Sequence, residues 1–266
     1  MDNRPIGVFD SGLGGLTAVK RIINLLPHED VVYFGDTGRV PYGNRSRETI
    51  IRYTKEDIEF LLKYDIKLII AACGTASSVA LDDLKPLFSV PILGVLEAAC
   101  STAATTTRNG RIGVIGTSGT INSGKYRELI LTLLPTAQVF EKACPLFVSL
   151  AENGHFNTDV VRIVAEEYLS PLKEAGVDTL ILGCTHYPLL AEAIGSVMGG
   201  GVNLIDTGDE AAKFAKRLLD ERCMLSDSDK TGTCSFFVSD SIENFSVLGS
   251  TFLGRPIELA VHKVSQ

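Results

Sequence analysis

Two cysteines stand where a folded chain could do chemistry. Cys73 ends the apolar run Leu68-Ile69-Ile70-Ala71-Ala72 and Cys184 ends Leu180-Ile181-Leu182-Gly183; Gly74-Thr75 follows the first, Thr185-His186 the second. Open α/β sheets place ligands beyond the C-terminal ends of their strands, so both thiols are predicted to face a cleft. A helix starting just after each strand would lower the thiol pKa and favour thiolate, the form that acts as base or nucleophile. His186, two residues beyond Cys184, could exchange a proton with it. Taken singly, a cysteine beside a buried strand reads as a small inert core residue. The pairing reverses that reading. Asp65–Cys73 lines up with Gly176–Cys184 at an offset of 111, and Ile6–Gly12 lines up with Ile112–Gly119 at an offset of 106 with one residue inserted, in the same order. Matched thiols facing each other across a cleft suit the movement of a proton between mirror-image faces of one carbon. When Cα of an amino acid loses its proton the centre becomes nearly planar, and inversion needs a base on one face and an acid on the other. Such a coupled pair gives a bell-shaped dependence of rate on pH.

The elements that must hold these groups alternate along the chain. Strand-like Ile6–Phe9 leads into a helical pattern from about Gly15 to Leu26, then strand Val31–Phe34, then a helix near Arg47 to Lys63. Continuous apolar strands indicate a parallel sheet covered by helices on both faces. The expected fold is α/β: two pseudosymmetric, doubly wound parallel-sheet lobes with the site in the cleft between them. The first lobe is expected over residues 1–97 and the second over 98–206. Within 207–266, a capped helix Asp209–Glu221 and a strand Ser235–Ser239 are expected to return to the first lobe and complete its sheet.

Composition narrows the function. The chain has 266 residues, 45% apolar and 21% charged, with 25 Lys and Arg against 32 Asp and Glu, a net charge of −7. Mean hydropathy is +0.20 and the pI about 5.2. Disorder is excluded, and with no basic cluster nucleic acid is not an expected partner. No apolar stretch approaches the roughly 18 residues that a bilayer demands, so no membrane association is expected. The start, Met1-Asp2-Asn3-Arg4-Pro5, has no leader pattern, and six widely spaced cysteines read as reduced thiols, so a cytoplasmic location is expected.

Three features are decoys. Gly12-Leu13-Gly14-Gly15-Leu16-Thr17 has Thr17 where a dinucleotide loop needs its third glycine, and Gly119–Lys125 satisfies G-x-x-x-x-G-K but is followed by Tyr126 instead of Ser or Thr. Either loop could still hold an anion on converging backbone N–H groups. Four scattered histidines, 28, 155, 186 and 262, form no metal pattern, so no metal is expected. Glu152-Asn153-Gly154-His155 reads by default as an exposed loop, with Glu152 kept as a candidate.

Five runs in order, Asp10-Ser11-Gly12-Leu13-Gly14-Gly15, Gly35-Asp36-Thr37, Val40-Pro41-Tyr42-Gly43, Cys73-Gly74-Thr75-Ala76-Ser77 and Leu182-Gly183-Cys184-Thr185-His186-Tyr187-Pro188, resemble the glutamate racemases of the cofactor-independent aspartate and glutamate racemase superfamily. The resemblance covers nearly the whole chain. It implies that Cys73 deprotonates one enantiomer and Cys184 the other, with Asp10 assisting the first thiol, His186 the second, and Glu152 supporting the second side. It implies substrate contacts from Asp10, Ser11, Pro41, Tyr42, Gly43, Gly74, Thr75, Thr117, Thr120, Thr185 and His186. It further implies glutamate as the small-molecule substrate, no cofactor, a homodimer, and supply of D-glutamate for peptidoglycan.

Two departures stand out. The family has Asn, whose amide contacts substrate, where this chain has Gly74, and Glu-Pro-Gly near the lobe junction where this chain has Glu97-Ala98-Ala99. The first bears on substrate preference, since a lost hydrogen bond costs about 1–3 kcal/mol; the second bears on hinge stiffness. An N-terminal extension tied to activation in some enlarged members is not expected. A racemase acting on aspartate or another amino acid, a non-catalytic amino-acid-binding protein and a nucleotide hydrolase built on Gly119–Lys125 are the competing readings.

Overall fold

A computed structural model describes residues 1–257 and 261–264, the side chains of Asn244 and Val261 excepted. Residues 258–260 and 265–266 of the expected first-lobe tail lie outside the described residues.

The strands are β1 (Ile6–Asp10), β2 (Val31–Gly35), β3 (Leu68–Ala71), β4 (Ile92–Gly94), β5 (Arg111–Gly116), β6 (Gln138–Ala143), β7 (Thr179–Leu182), β8 (Asn203–Asp206), β9 (Cys234–Val238) and β10 (Val261–Lys263). They form a six-stranded sheet, β10-β9-β2-β1-β3-β4, and a four-stranded sheet, β6-β5-β7-β8. Every pairing is parallel. Central strands β1, β3 and β7 are buried along their whole length, as their unbroken apolar sequences require.

The internal repeat reappears as register. Ile6 pairs with Leu68 and Phe9 with Ala71, while Ile112 pairs with Thr179 and Ile115 with Leu182. These partners stand at the same two offsets, 106 and 111, that relate the repeated segments. The order β2-β1-β3-β4 in one sheet thus repeats as β6-β5-β7-β8 in the other. In each, the order reverses beside the central strand, at β1/β3 and at β5/β7, and a sheet of this kind opens its ligand crevice there.

Side chains alternate along the first sheet. Ile6, Val8, Leu68 and Ile70 face a core that continues into the second sheet, whereas Phe9, Ile69 and Ala71 face a separate cluster that includes Ile50, Ile58 and Leu61 of the helix Arg47–Leu61. Between the sheets lie Leu16–Leu25, Leu96–Thr106 and Thr207–Glu221, whose small residues Ala18, Ala99, Ala103, Ala211 and Ala215 are buried in the shared core. Asp206 caps Thr207–Glu221, accepting from the N–H groups of Gly208 at 2.9 Å and Asp209 at 3.2 Å, which starts that helix two residues earlier than expected. The expected lobe junction at 97/98 falls inside Leu96–Thr106. Among the described residues no helix is long and apolar enough to cross a membrane.

Candidate active site

At the end of β1 the chain turns through Ser11-Gly12-Leu13-Gly14-Gly15. This glycine loop does hold an anion, and the anion is the protein's own Asp10. Its Oδ2 accepts from the Gly12 N–H at 3.0 Å and the Gly15 N–H also reaches the carboxylate. Burial raises the Asp10 pKa, opposed by the charge of His186, by those two N–H groups and by the Thr185 hydroxyl.

At the end of β3, Cys73 caps the short helix Gly74–Val79, its Sγ accepting from the Ala76 N–H at 3.4 Å and lying 3.6 Å from the Ser11 hydroxyl. The low thiol pKa expected there is not found. Burial, with the nearby Asp10 carboxylate, pushes Cys73 up to about 12, against the opposing pull of the Ala76 N–H and Ser11. One helix turn cannot offset the loss of solvent around a buried thiolate.

The second thiol is built differently. Cys184 is not followed by a helix: Thr185 and His186 lead into the 3₁₀ turn Tyr187–Leu190. Its Sγ lies 3.7 Å from His186 Nδ1, and His186 Nε2 lies 3.1 Å from Glu152 Oε1. Burial works against the His186 cation, but Cys184, Glu152 and the Asp10 charge outweigh it and raise its pKa to about 10. The exposed-loop expectation for Glu152 is overturned. It is the last residue of the helix Leu146–Glu152, and its carboxylate is held in part by the imidazole.

The two strand ends meet crosswise. Thr185 Oγ1, after β7, donates to Asp10 Oδ1 at the end of β1 over 3.3 Å. Thr75, after β3, places its hydroxyl 2.9 Å from that of Thr117 after β5, and the Thr120 hydroxyl lies 3.3 Å from Thr75 and 3.0 Å from Thr117. Contact of β1 with β7 and of β3 with β5 is the pattern that a pseudo-twofold relation between the sheets produces. One small cleft results, lined by Ser11, Pro41, Tyr42, Gly43, Cys73, Gly74, Thr75, Thr117, Cys184, Thr185 and His186, with Val40, Val148 and Gly183. Asp10 and Thr120 stand behind this lining, and Glu152 lies in the adjoining depression with Gly12 and Val40.

Val40, Val148 and Gly183 were not among the expected site residues. Val40 and Gly183 stand within quoted motifs, whereas Val148 sits in the helix Leu146–Glu152 and carries no local signal. The Tyr42 hydroxyl is committed elsewhere, 2.5 Å from Asp36 Oδ2 and 2.8 Å from Asp57 Oδ2, with Arg39 joining both carboxylates. The Tyr42 hydroxyl therefore braces the loop against Asp36 and Asp57. The G-x-x-x-x-G-K run forms no phosphate cradle. Gly124, at φ +66°, separates two helices, and Lys125 Nζ is held by Asp82 and Glu128, each at 2.8 Å.

Residues 13–215 match the family described as Asp/Glu/Hydantoin racemase. The chain belongs to that family. Within it, the chain is 49% identical over 251 residues to a glutamate racemase of Geobacter metallireducens, covering 94% of this chain and 93% of the relative. It is 47% identical over 254 residues to one of Chlorobaculum tepidum, covering 95% and 93%. Among solved structures, a glutamate racemase isoform of Bacillus anthracis superposes with a TM-score of 0.95 at 36% identity, over all of this chain and 98% of that one. The Francisella tularensis glutamate racemase, solved in complex with D-glutamate, superposes at 0.93 with 39% identity and the same coverage. The family resemblance and the two-sheet α/β fold expected from the sequence are both borne out.

Proposed function

We propose that this protein interconverts L- and D-glutamate, with Cys73 and Cys184 as the two proton-transferring groups. The observation that carries the reading is that thiols from equivalent strand ends of two repeated sheets line one cleft together. In one direction the Cys73 thiolate takes the Cα proton, the carbon flattens, and the Cys184 thiol delivers its own proton to the opposite face. Cys73 is left protonated and Cys184 as thiolate, the state needed for the reverse reaction. Every proton is accounted for by groups of this chain, and no cofactor enters the scheme.

Asp10 serves the Cys73 side and His186 the Cys184 side, with Glu152 holding the imidazole. Ser11, Thr75, Thr117 and Thr185, with Pro41, Tyr42, Gly43 and Gly74, bind the substrate, and Thr120 holds the Thr75 and Thr117 hydroxyls from behind. Glutamate as substrate is supported by the relatives' names and by the D-glutamate complex of the Francisella enzyme. In this reading residues 1–97 with 207–266 form one lobe and 98–206 the other, each contributing one thiol. The protein acts in the cytoplasm as a homodimer, needs neither nucleic acid nor membrane, and feeds D-glutamate into peptidoglycan.

Incubation with either enantiomer in heavy water tests the reading. Deuterium should appear at Cα of the product isomer from both directions. Exchange with aspartate and none with glutamate would reassign the substrate, and tight glutamate binding without exchange would make the protein a binder.

A further inference from the structure

Pro41, Tyr42 and Gly43 form one wall of the cleft, yet what holds that wall lies outside it. The Tyr42 hydroxyl stands between the carboxylates of Asp36 and Asp57, both 0% exposed. Arg39 ties the group together. Its Nε lies 2.5 Å from Asp36 Oδ2 and its Nη2 3.2 Å from Asp57 Oδ1, its Nη1 also bonds Glu56, and the guanidinium carbon stands 4.0 Å over the Tyr53 ring.

The members come from separate parts of the chain. Asp36 and Arg39 follow β2, Glu56 and Asp57 sit on the helix Arg47–Leu61, and Asp36 Oδ1 accepts at 2.8 Å from the hydroxyl of Ser239, just after β9. Three segments thus meet at one ion cluster. Two buried carboxylates held this close repel each other, and a tyrosine hydroxyl has a single proton to offer them; the guanidinium, with donors to both, makes their approach favourable.

The wall in turn has little slack. A Cβ at Gly43 would lie 2.6 Å from Thr117 Cβ on the other side of the cleft, and the cleft itself encloses about 20 Å³. A shift at Tyr42 is therefore felt wherever a substrate is held.

We propose that Arg39 is a positioning residue of the racemase site: by neutralising the carboxylates that grip Tyr42, it sets where the 41–43 wall stands and so how the substrate is aligned between the thiols. Arg39 itself touches no substrate. The kinetic part of this proposal rests on the two-thiol reading; the accessibility part does not.

The test removes the cation, then one of the charges it balances. Arg39→Gln should lower glutamate kcat/KM about a hundredfold, the scale of a misplacement near 1 Å, with most of the loss in kcat. Adding Asp57→Asn should restore about tenfold of that, because one buried charge fewer is left without its counterion. Arg39→Lys keeps a charge but cannot bridge, and should lose about tenfold. As a control, Lys55→Gln takes a cation from an exposed pair with Glu59 on the same helix and should stay within about twofold. Iodoacetamide labelling of Cys73, read by peptide mass against exposed Cys223, needs no turnover. It should run about tenfold faster in Arg39→Gln and slow again with Asp57→Asn, since reactivity follows the population in which the wall stands away.

A folded Arg39→Gln variant with kcat/KM within about threefold of the unsubstituted protein overturns the proposal. So does a loss that Asp57→Asn fails to relieve, which would leave Arg39 a packing role on Tyr53 and none in charge. If Arg39→Gln does not fold, Arg39→Lys decides, and activity there within about twofold overturns it. If the unsubstituted protein does not racemise glutamate, the earlier reading has failed, and the labelling series alone decides whether Arg39 sets the wall.

Discussion

The two halves of the cleft share a backbone plan and differ in how they handle a proton. Beside Cys73 stand a helix N–H, the Ser11 hydroxyl and the buried Asp10; beside Cys184 stand an imidazole and, behind it, Glu152. Register repeats from sheet to sheet, so the thiols arrive at matching places. The residues after each cysteine do not repeat. Position is inherited from the duplicated sheet, and acid–base character is set locally by what the next two residues bring into contact.

The comparison breaks most sharply at the sulfurs themselves. Cys73→Ser and Cys184→Ser should each lower racemisation about a thousandfold or more, because a hydroxyl is a poor base near neutral pH and neither thiol can replace the other on its own face. An activity surviving in either variant would reduce the pair to a single catalytic thiol. Next in size, His186→Asn should lower kcat about a hundredfold. Equilibrium ties the two directions together in kcat/KM, so the asymmetry between the halves must be read otherwise. Primary deuterium isotope effects measured from each enantiomer should grow in one direction only. Growth in both would mean that His186 serves the cleft as a whole. Glu152→Gln should cost about tenfold, the worth of one hydrogen bond to a charged partner, with a lowered imidazole pKa visible by NMR.

How much of this was written in the sequence depends on the distance over which each feature is specified. The sheets are local: unbroken runs such as Leu68–Ala71 and Thr179–Leu182, bounded by turn residues, read as buried strands, and the repeat offsets carry the pairing of Ile6 with Leu68 over to that of Ile112 with Thr179. Cys73, Cys184 and His186 were legible because they end those strands. Glu152 looked like loop because its partner is 34 residues away, and Val148 lines the cleft from an otherwise ordinary helix. The lowered Cys73 pKa failed for a related reason: a helix N-terminus can be read from sequence, whereas burial of the thiol depends on closure of the second half over it.

A last contrast, read in stability and not in rate, separates the halves by pH. His186 keeps its proton up to about 10 in the folded protein and, at an ordinary value near 6.5, loses it earlier when unfolded. Between those values the folded state binds the extra proton, so stability is full below about pH 6.5 and falls as pH rises. Cys73 acts in the same sense over a higher window, from about 9 to about 12. Each proton contributes a slope of about 1.4 kcal/mol per pH unit within its window. Cys144 and Cys234, pushed by burial up to about 12 and about 11, share the upper window, so the Cys73 part is a difference and not the whole slope. Urea denaturation from pH 6 to 10.5 should show stability declining throughout. His186→Asn should flatten the portion below about pH 9 and reduce the slope from there to about pH 10, whereas Cys73→Ser should ease only the portion above about pH 9. If both substitutions flatten the same portion, the two halves titrate as one coupled unit, and the contrast drawn between them does not extend to their protons.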